Sequence, residues 1–316
     1  MMDKKDICII RAKLKDDYVY DAIKNYGFEI HIPYKDTNFL FRLMREVWYK
    51  LNFPRKDFWY NKELKCLKAK IIIVYDPLVK PELMTWLKQR YPNTRIILSY
   101  ENRADSTIRP DSVDENIEKW SYDKDDCCQY NMKYVSPMYF DIYGFDSRNG
   151  EKKYDVLYLG RDKGRLKEIL SYQNAFEARG LVTYFHICAD RSYMTYKNKI
   201  YKPVITYKEY LKILNNSRTI LNIARQDQKA VTQREMEAIF FNIKCITTNK
   251  GIKDFEQYHR SRYFILGEDD ISKINSFIES DFLPVDNHTL NKYTFECVLE
   301  QLLEDGANLN KVYVNK

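Results

Sequence analysis

Lys152-Lys153-Tyr154-Asp155-Val156-Leu157-Tyr158-Leu159-Gly160-Arg161-Asp162-Lys163-Gly164-Arg165 is the stretch on which the fold turns. Its first half is a short apolar run of the kind found in strands buried on both faces. A glycine follows at once, then Arg161, Asp162 and Lys163, a second glycine and Arg165, and a helical pattern opens behind them. Downstream the alternation continues, with strands expected at Leu181–Cys188, Thr219–Ile223 and Lys244–Thr247 and helices at Tyr207–Asn216 and Gln233–Phe241. Upstream, Asp6–Ile10, Phe28–Ile32, Lys70–Tyr75 and Thr94–Ser99 read as strands. Between them lie a helix over Tyr18–Tyr26 that stops at Gly27 and one over Pro81–Arg90 started by its proline. Two βα series joined by a polar linker within Tyr139–Lys153 predict an α/β protein of two Rossmann-like domains, residues 1–145 and 146–316. A cleft is expected between the domains, and the last helix, Thr294–Leu303, is expected to cross back onto the first.

The composition agrees. An aromatic share of 15% among 45% hydrophobic residues excludes a mainly disordered chain, and 316 residues suffice for two domains. No run approaches the ~18 apolar residues of a membrane span. Met1-Met2-Asp3-Lys4-Lys5-Asp6 lacks the hydrophobic region of a secretory signal. Seven scattered cysteines without a Cys-x-x-Cys pair argue against a disulfide framework or zinc site and for reduced thiols in the cytoplasm.

Ligands of open parallel sheets meet the carboxyl ends of strands, which directs attention just after Ile10, Tyr75, Ser99, Leu159, Cys188, Ile223 and Thr247. After Leu159, Gly160 lets a ligand approach the backbone, a helix N-terminus offers N–H groups, and Arg161 and Lys163 add charge: a diphosphate site. The spacing fits neither a Walker A loop nor G-x-G-x-x-G, and a tight turn with solvated cations is the alternative. In the second cluster, Lys229–Ala238, Thr232 stands near a helix N-cap and Arg234 in the first turn, where it can face a phosphate. Glu237 lies one turn on, able to accept from a ribose diol. The competing role is a capped helix with an Arg–Glu surface pair worth under ~1 kcal/mol.

Thr232-x-Arg234-x-x-Glu237-Ala238, followed by Cys245-Ile246-Thr247-Thr248-Asn249, resembles the donor-binding segment of GT-B glycosyltransferases. The closest likeness is to the CgeB-type and group 1 families of surface-polysaccharide enzymes. The Gly160–Arg165 opening and Ile205-Thr206-Tyr207-x-x-Tyr210-Leu211 are similar to theirs, so the resemblance spans Tyr154 to about Asn249. In the first domain it extends to the layout and Trp120–Pro137. It implies a hexosyltransferase moving a sugar from a UDP-linked donor to a glycan or lipid-linked acceptor in lipopolysaccharide or capsule synthesis. Gly160, Arg161, Lys163, Thr232 and Arg234 would hold the diphosphate, and His186, Thr206, Tyr207 and Glu237 the nucleoside. Retaining group 1 enzymes carry two glutamates seven residues apart. Only Glu237 matches here, so retention and inversion both stay open.

An inverting transfer needs a base near the acceptor, expected in the first domain. Asp16, Asp17, Asp76 and Glu101 follow strands or their loops. Asp17 is the first choice and Asp76 the second, with helix capping as the other role for Asp76. His31 reads as a packed strand residue. Asp123-Lys124-Asp125 begins a helix, where acids complement the dipole, so no metal or other cofactor is expected. The leaving diphosphate then falls to Arg161, Lys163 and Arg234.

Arg42–Lys70 holds nine Lys/Arg against three Asp/Glu, a local +6 within a total of +7, interleaved with Trp48, Tyr49, Phe53, Phe58, Trp59 and Tyr60. Such sequence suits the surface of an anionic membrane, at the inner face of the cytoplasmic membrane. It suits equally a helix–loop–helix flank whose aromatics pack on the sheet. Nucleic acid is not expected as a partner, since no RNP, KH or helix-turn-helix signature accompanies it. The alternative to an enzyme is a catalytically silent GT-B-like module for glycan binding or assembly.

Overall fold

A computed structural model of the chain describes residues 3–13, 17–35, 38–141, 151–191, 194, 198–225 and 227–304. The chain divides into two compact units, one made of Met1–Ser136 with the segment from Val298 onward, the other of Pro137–Cys297. The expected domain junction at 145/146 and Asp16 lie outside the described residues.

In the first unit, short apolar runs form β1 (Ile7–Ile10), β3 (Ile71–Tyr75) and β4 (Arg95–Tyr100). The edge strands β2 (Glu29–His31) and β6 (Lys133–Tyr134), with β5 (Glu118–Ser121) inside the latter, complete an all-parallel sheet in the order β2-β1-β3-β4-β5-β6. Ile9 pairs with Ile73, and Ile73 with Ile97, so the three central strands carry branched apolar residues in register. The helix Pro81–Arg90 turns Leu83, Met84 and Leu87 into the sheet face formed by Cys8, Ile72 and Val74. Each such side chain stabilises the fold by about 2 kcal/mol. Sequence reading missed β5 and β6, whose charged or two-residue runs carry no apolar periodicity. It did identify the helix start at Asp123, whose side chain accepts from the N–H groups of Asp125 and Asp126.

The second unit contains β7 (Tyr154–Arg161), β8 (Thr183–Cys188), β9 (Ser217–Asn222), β10 (Lys244–Thr247) and β11 (Tyr263–Ile265), parallel in the order β11-β10-β9-β7-β8. Its helices Tyr207–Asn215 and Gln233–Phe240 both start in capping boxes, Thr206 with Glu209 and Thr232 with Glu235. Leu211, Leu214, Met236 and Ile239 of these helices pack with Leu157, Ile220 and Cys245 of the sheet. The C-terminal helix, Phe295–Leu303, ends under Arg95 of the first unit, which donates to the carbonyls of Leu303 (2.9 Å) and Leu302 (3.1 Å). Among the described residues no helix is long and apolar enough to cross a membrane.

In each sheet the chain adds its second strand on one side of the first, then returns to the other side for the third. The strand order therefore reverses between β1 and β3, and again between β7 and β9. Open α/β sheets bind ligands at the carboxyl ends of such reversals.

Candidate functional site

At the β7/β9 reversal the strand ends in Leu159-Gly160-Arg161, and the guanidinium of Arg234 lies across Gly160. Nη2 of Arg234 donates to the Leu159 carbonyl. A Cβ at Gly160 would stand 2.7 Å from that nitrogen, so any side chain there must displace the arginine. Arg234 reaches this position because Thr232 caps its helix, accepting from the Glu235 N–H. Nε of Arg234 is buried without a hydrogen-bond partner among the described residues. Lys163 sits in a left-handed backbone conformation (φ 47°) on the same turn. Partial desolvation lowers its ammonium pKa, and the charges of Arg234 and Arg165 lower it further. Mutually repelling cations around a glycine-floored strand end form an electrostatic cradle for an anion.

Not every cation of the turn faces that cradle. Arg161 donates to the carbonyls of Ala189 (3.1 Å) and Asp190 (2.8 Å), and Arg165 to those of Ile223 (2.8 Å) and Ala224 (2.9 Å). Both cap orphan carbonyls where strands end. Asp162, buried between them, accepts from Tyr201 Oη at 2.6 Å.

The residues expected to hold a nucleoside fall into two groups. Tyr207 Oη donates to Glu237 Oε1 at 3.0 Å, Gln233 Nε2 donates to the same oxygen at 3.2 Å, and Tyr210 Oη donates to Oε2. Glu237 is thus almost fully buried, and burial raises its pKa despite the nearby Arg234 charge. Thr206 is exposed and caps its helix. His186 is apart from these: its Nε2 contacts the Pro203 carbonyl at 2.7 Å, while its buried Nδ1 has no partner among the described residues. With Nε2 bound to a carbonyl, Nε2 carries a proton.

Sequence reading did not single out Glu235, the most heavily bonded carboxylate here. Fully buried, it accepts from the Thr232 N–H (2.7 Å), Asn222 Nδ2 (3.0 Å), Thr247 Oγ1 (2.9 Å) and Asn249 Nδ2 (3.3 Å), and so ties the ends of β9 and β10 to the helix. The available signal was the capping box Thr232-Gln233-Arg234-Glu235.

At the β1/β3 reversal the charge is of the other kind. Arg11, directly after β1, is buried between two carboxylates: Nη1 lies 2.6 Å from Asp17 Oδ2, and Nη2 lies 3.1 Å from Glu101 Oε2. Asp17 also caps the helix Tyr18–Asn25, accepting from the Tyr20 N–H. Asp76, fully buried after β3, accepts from the Glu101 N–H (2.5 Å) and Asn102 Nδ2 (3.2 Å). It does not cap the following helix, whose N-cap is Lys80; it joins the ends of β3 and β4 instead. Burial, reinforced by the Glu101 charge, pushes the Asp76 carboxyl up to about 7. Arg11 was the missed member, although it follows the first of the strand ends marked for search.

Two other sequence features resolve at the periphery. His31 is not simply packed: it bridges Glu63 (Nδ1, 2.8 Å) and Glu29 (Nε2, 2.8 Å) at the β2 edge, with the Cys8 thiol close by. The basic–aromatic stretch Arg42–Lys70 divides, since Tyr49, Trp59 and Tyr60 are buried while Phe53 and Phe58 remain exposed.

No family model matches the chain, and no curated protein matches its sequence. Solved structures do resemble it. The apo form of the lipopolysaccharide outer core galactosyltransferase WaaB superposes with a TM-score of 0.54 at 13% identity, over 94% of this chain and 98% of that one. AviGT4, a glycosyltransferase involved in avilamycin A biosynthesis, gives 0.52 at 12% identity, over 94% and 95%. The two parallel-sheet α/β units thus have the GT-B glycosyltransferase fold over nearly the whole chain.

Proposed function

We propose that the protein is a hexosyltransferase that moves a sugar from a UDP-linked donor to a glycan or lipid-linked acceptor in cell-surface polysaccharide synthesis. In this reading it is related to the CgeB-type and group 1 enzymes and works in the cytoplasm, at the inner face of the membrane. The observation that carries the reading is Arg234 lying across Gly160 beside Lys163, at the strand reversal of the second unit. A diphosphate there offsets the desolvation and the cation repulsion that together lower the Lys163 pKa, and offers the Arg234 Nε a partner. Lys163 and Arg234, with Arg161 at the rim, take up the charge that grows on the departing UDP, the service a metal supplies in other transferases. Tyr207, Thr206, His186 and Glu237 lie on the elements flanking this site and make up the nucleoside side.

The first unit supplies the base. Asp17, held by Arg11, is the first choice, and Asp76, whose carboxyl burial pushes up to about 7, is the second. The similarity to WaaB, itself a lipopolysaccharide galactosyltransferase by name, supports the acceptor class. One observation favours a silent binding module instead: Asp76 is fully buried and Asp17 is ion-paired. The test is thermal denaturation with UDP, UDP-hexoses and other nucleoside diphosphates. UDP or a UDP-sugar raises the Tm, and Arg234→Ala removes the rise. A panel with no shift overturns the reading, while nucleotide binding with neither donor hydrolysis nor transfer selects the silent module.

A further inference from the structure

The helix Phe39–Lys50 is apolar on two sides. One side is locked inward: Phe41 and Trp48 pack on Trp59, Trp48 packs on Phe53 and donates to the Pro54 carbonyl, and Tyr49 meets Tyr34. The helix therefore cannot roll to hide its other side. There Leu40, Leu43, Met44, Val47 and Leu51 follow one another at helical spacing, and Phe39 extends the row. Phe39 is 72% exposed, Leu40 62% and Leu51 59%, with the other three near half. A continuous apolar stripe of this kind marks an interaction surface.

The charges around the stripe say what it meets. Lys50, Arg42 and Arg55 are exposed and have no carboxylate partner among the described residues. The acids nearby are already neutralised, Glu46 by Arg45 (3.1 Å) and Lys80 (2.9 Å), and Asp57 by Lys65 (3.9 Å). An open groove of about 420 Å³ adjoins, with Phe53, Arg55 and Trp86 among its walls. We propose that this face docks on an anionic lipid bilayer, the stripe sinking into the headgroup–acyl boundary while the unpaired cations meet lipid phosphates. The surface is not the basic–aromatic stretch as a whole, since it begins before Arg42 and leaves out the buried Trp59 and Tyr60. It deepens the proposed function and rests on it only for the lipid-linked acceptor; adsorption itself requires no sugar transfer.

Flotation with vesicles of equal parts phosphatidylglycerol and phosphatidylcholine, against phosphatidylcholine alone, tests it. The full chain floats with the anionic vesicles, and less so as salt rises. Leu43→Glu with Val47→Glu weakens adsorption by at least about tenfold. Lys50→Glu with Arg55→Glu weakens it and flattens the salt dependence. UDP-induced stabilisation, measured on the same variants, is unchanged, which separates lipid docking from nucleotide binding and from misfolding. Three results overturn the proposal: no adsorption by the wild type, equal adsorption by the Leu43→Glu/Val47→Glu variant, or a wild-type dimer that this variant converts to monomer. The last would assign the stripe to a second copy of the chain.

Discussion

The two sheets reverse strand order in the same way, yet their reversal points carry opposite chemistry. In the first unit one arginine is enclosed by carboxylates, with Asp17 and Glu101 on Arg11 and Asp76 alongside. In the second, Arg234 lies over a glycine with Lys163 beside it, and the local carboxylates, Glu235 and Glu237, are buried on hydroxyls and amides. Topology fixes where a site forms, and the residues just past the strand ends fix what it can do. One end buries carboxylates around a single cation, and the other gathers cations at a glycine.

The sharpest way to break the contrast is Arg11→Ala, which leaves Asp17 and Glu101 buried without their counter-ion. The expected cost is about 3–5 kcal/mol in urea denaturation, easing at acid pH as the carboxylates protonate. An unchanged midpoint would mean that the first site is not an electrostatic unit.

The next test uses Asp76. Its folded carboxyl is raised to about 7 against an unfolded value near ~3.9, so the folded protein keeps a proton that the unfolded chain has lost. The Asp76 contribution to stability is therefore full below pH ~4 and falls by about 2–4 kcal/mol as pH rises through the folded value, the loss being complete near pH ~8. Asp76→Asn should flatten that fall, as measured by denaturation across the pH range. An equal slope in both proteins would remove Asp76 from the argument.

The smallest effect probes the opposite end. Gly160→Ala places a methyl 2.7 Å from Arg234 Nη2 and moves the guanidinium aside. A stability change of about 1 kcal/mol is expected, with nucleotide-induced stabilisation reduced. Full retention of that stabilisation would show that Arg234 need not lie over the glycine.

Much of this was legible from the residues. The runs ICII and IIIVY declare buried strands, and Gly160-Arg161-Asp162-Lys163 after Leu159 marks an anion-friendly turn. Roles within the turn were not legible. Arg161 and Arg165 look like Lys163 on paper, yet both cap carbonyls just past strand ends, 28 and 58 residues away. In the sequence, i, i+3 spacing sets Glu237 beside Arg234 and leaves Glu235 unremarked. Only the packed helix reveals that Tyr207 and Tyr210 occupy the first and that Asn222, Thr247 and Asn249 occupy the second.

By itself, then, the sequence determined the βα alternation, the two-unit α/β class and the strand ends at which chemistry should be sought. Periodicity and glycine placement act within a few residues and survive without knowledge of the fold. The tertiary structure decided which charges are paired, which are buried and which acidities are displaced. Those depend on neighbours brought in from afar, as Glu101 is to Arg11 across 90 residues of chain. A charge's energy is set by its surroundings, and only the assembled sheet supplies them.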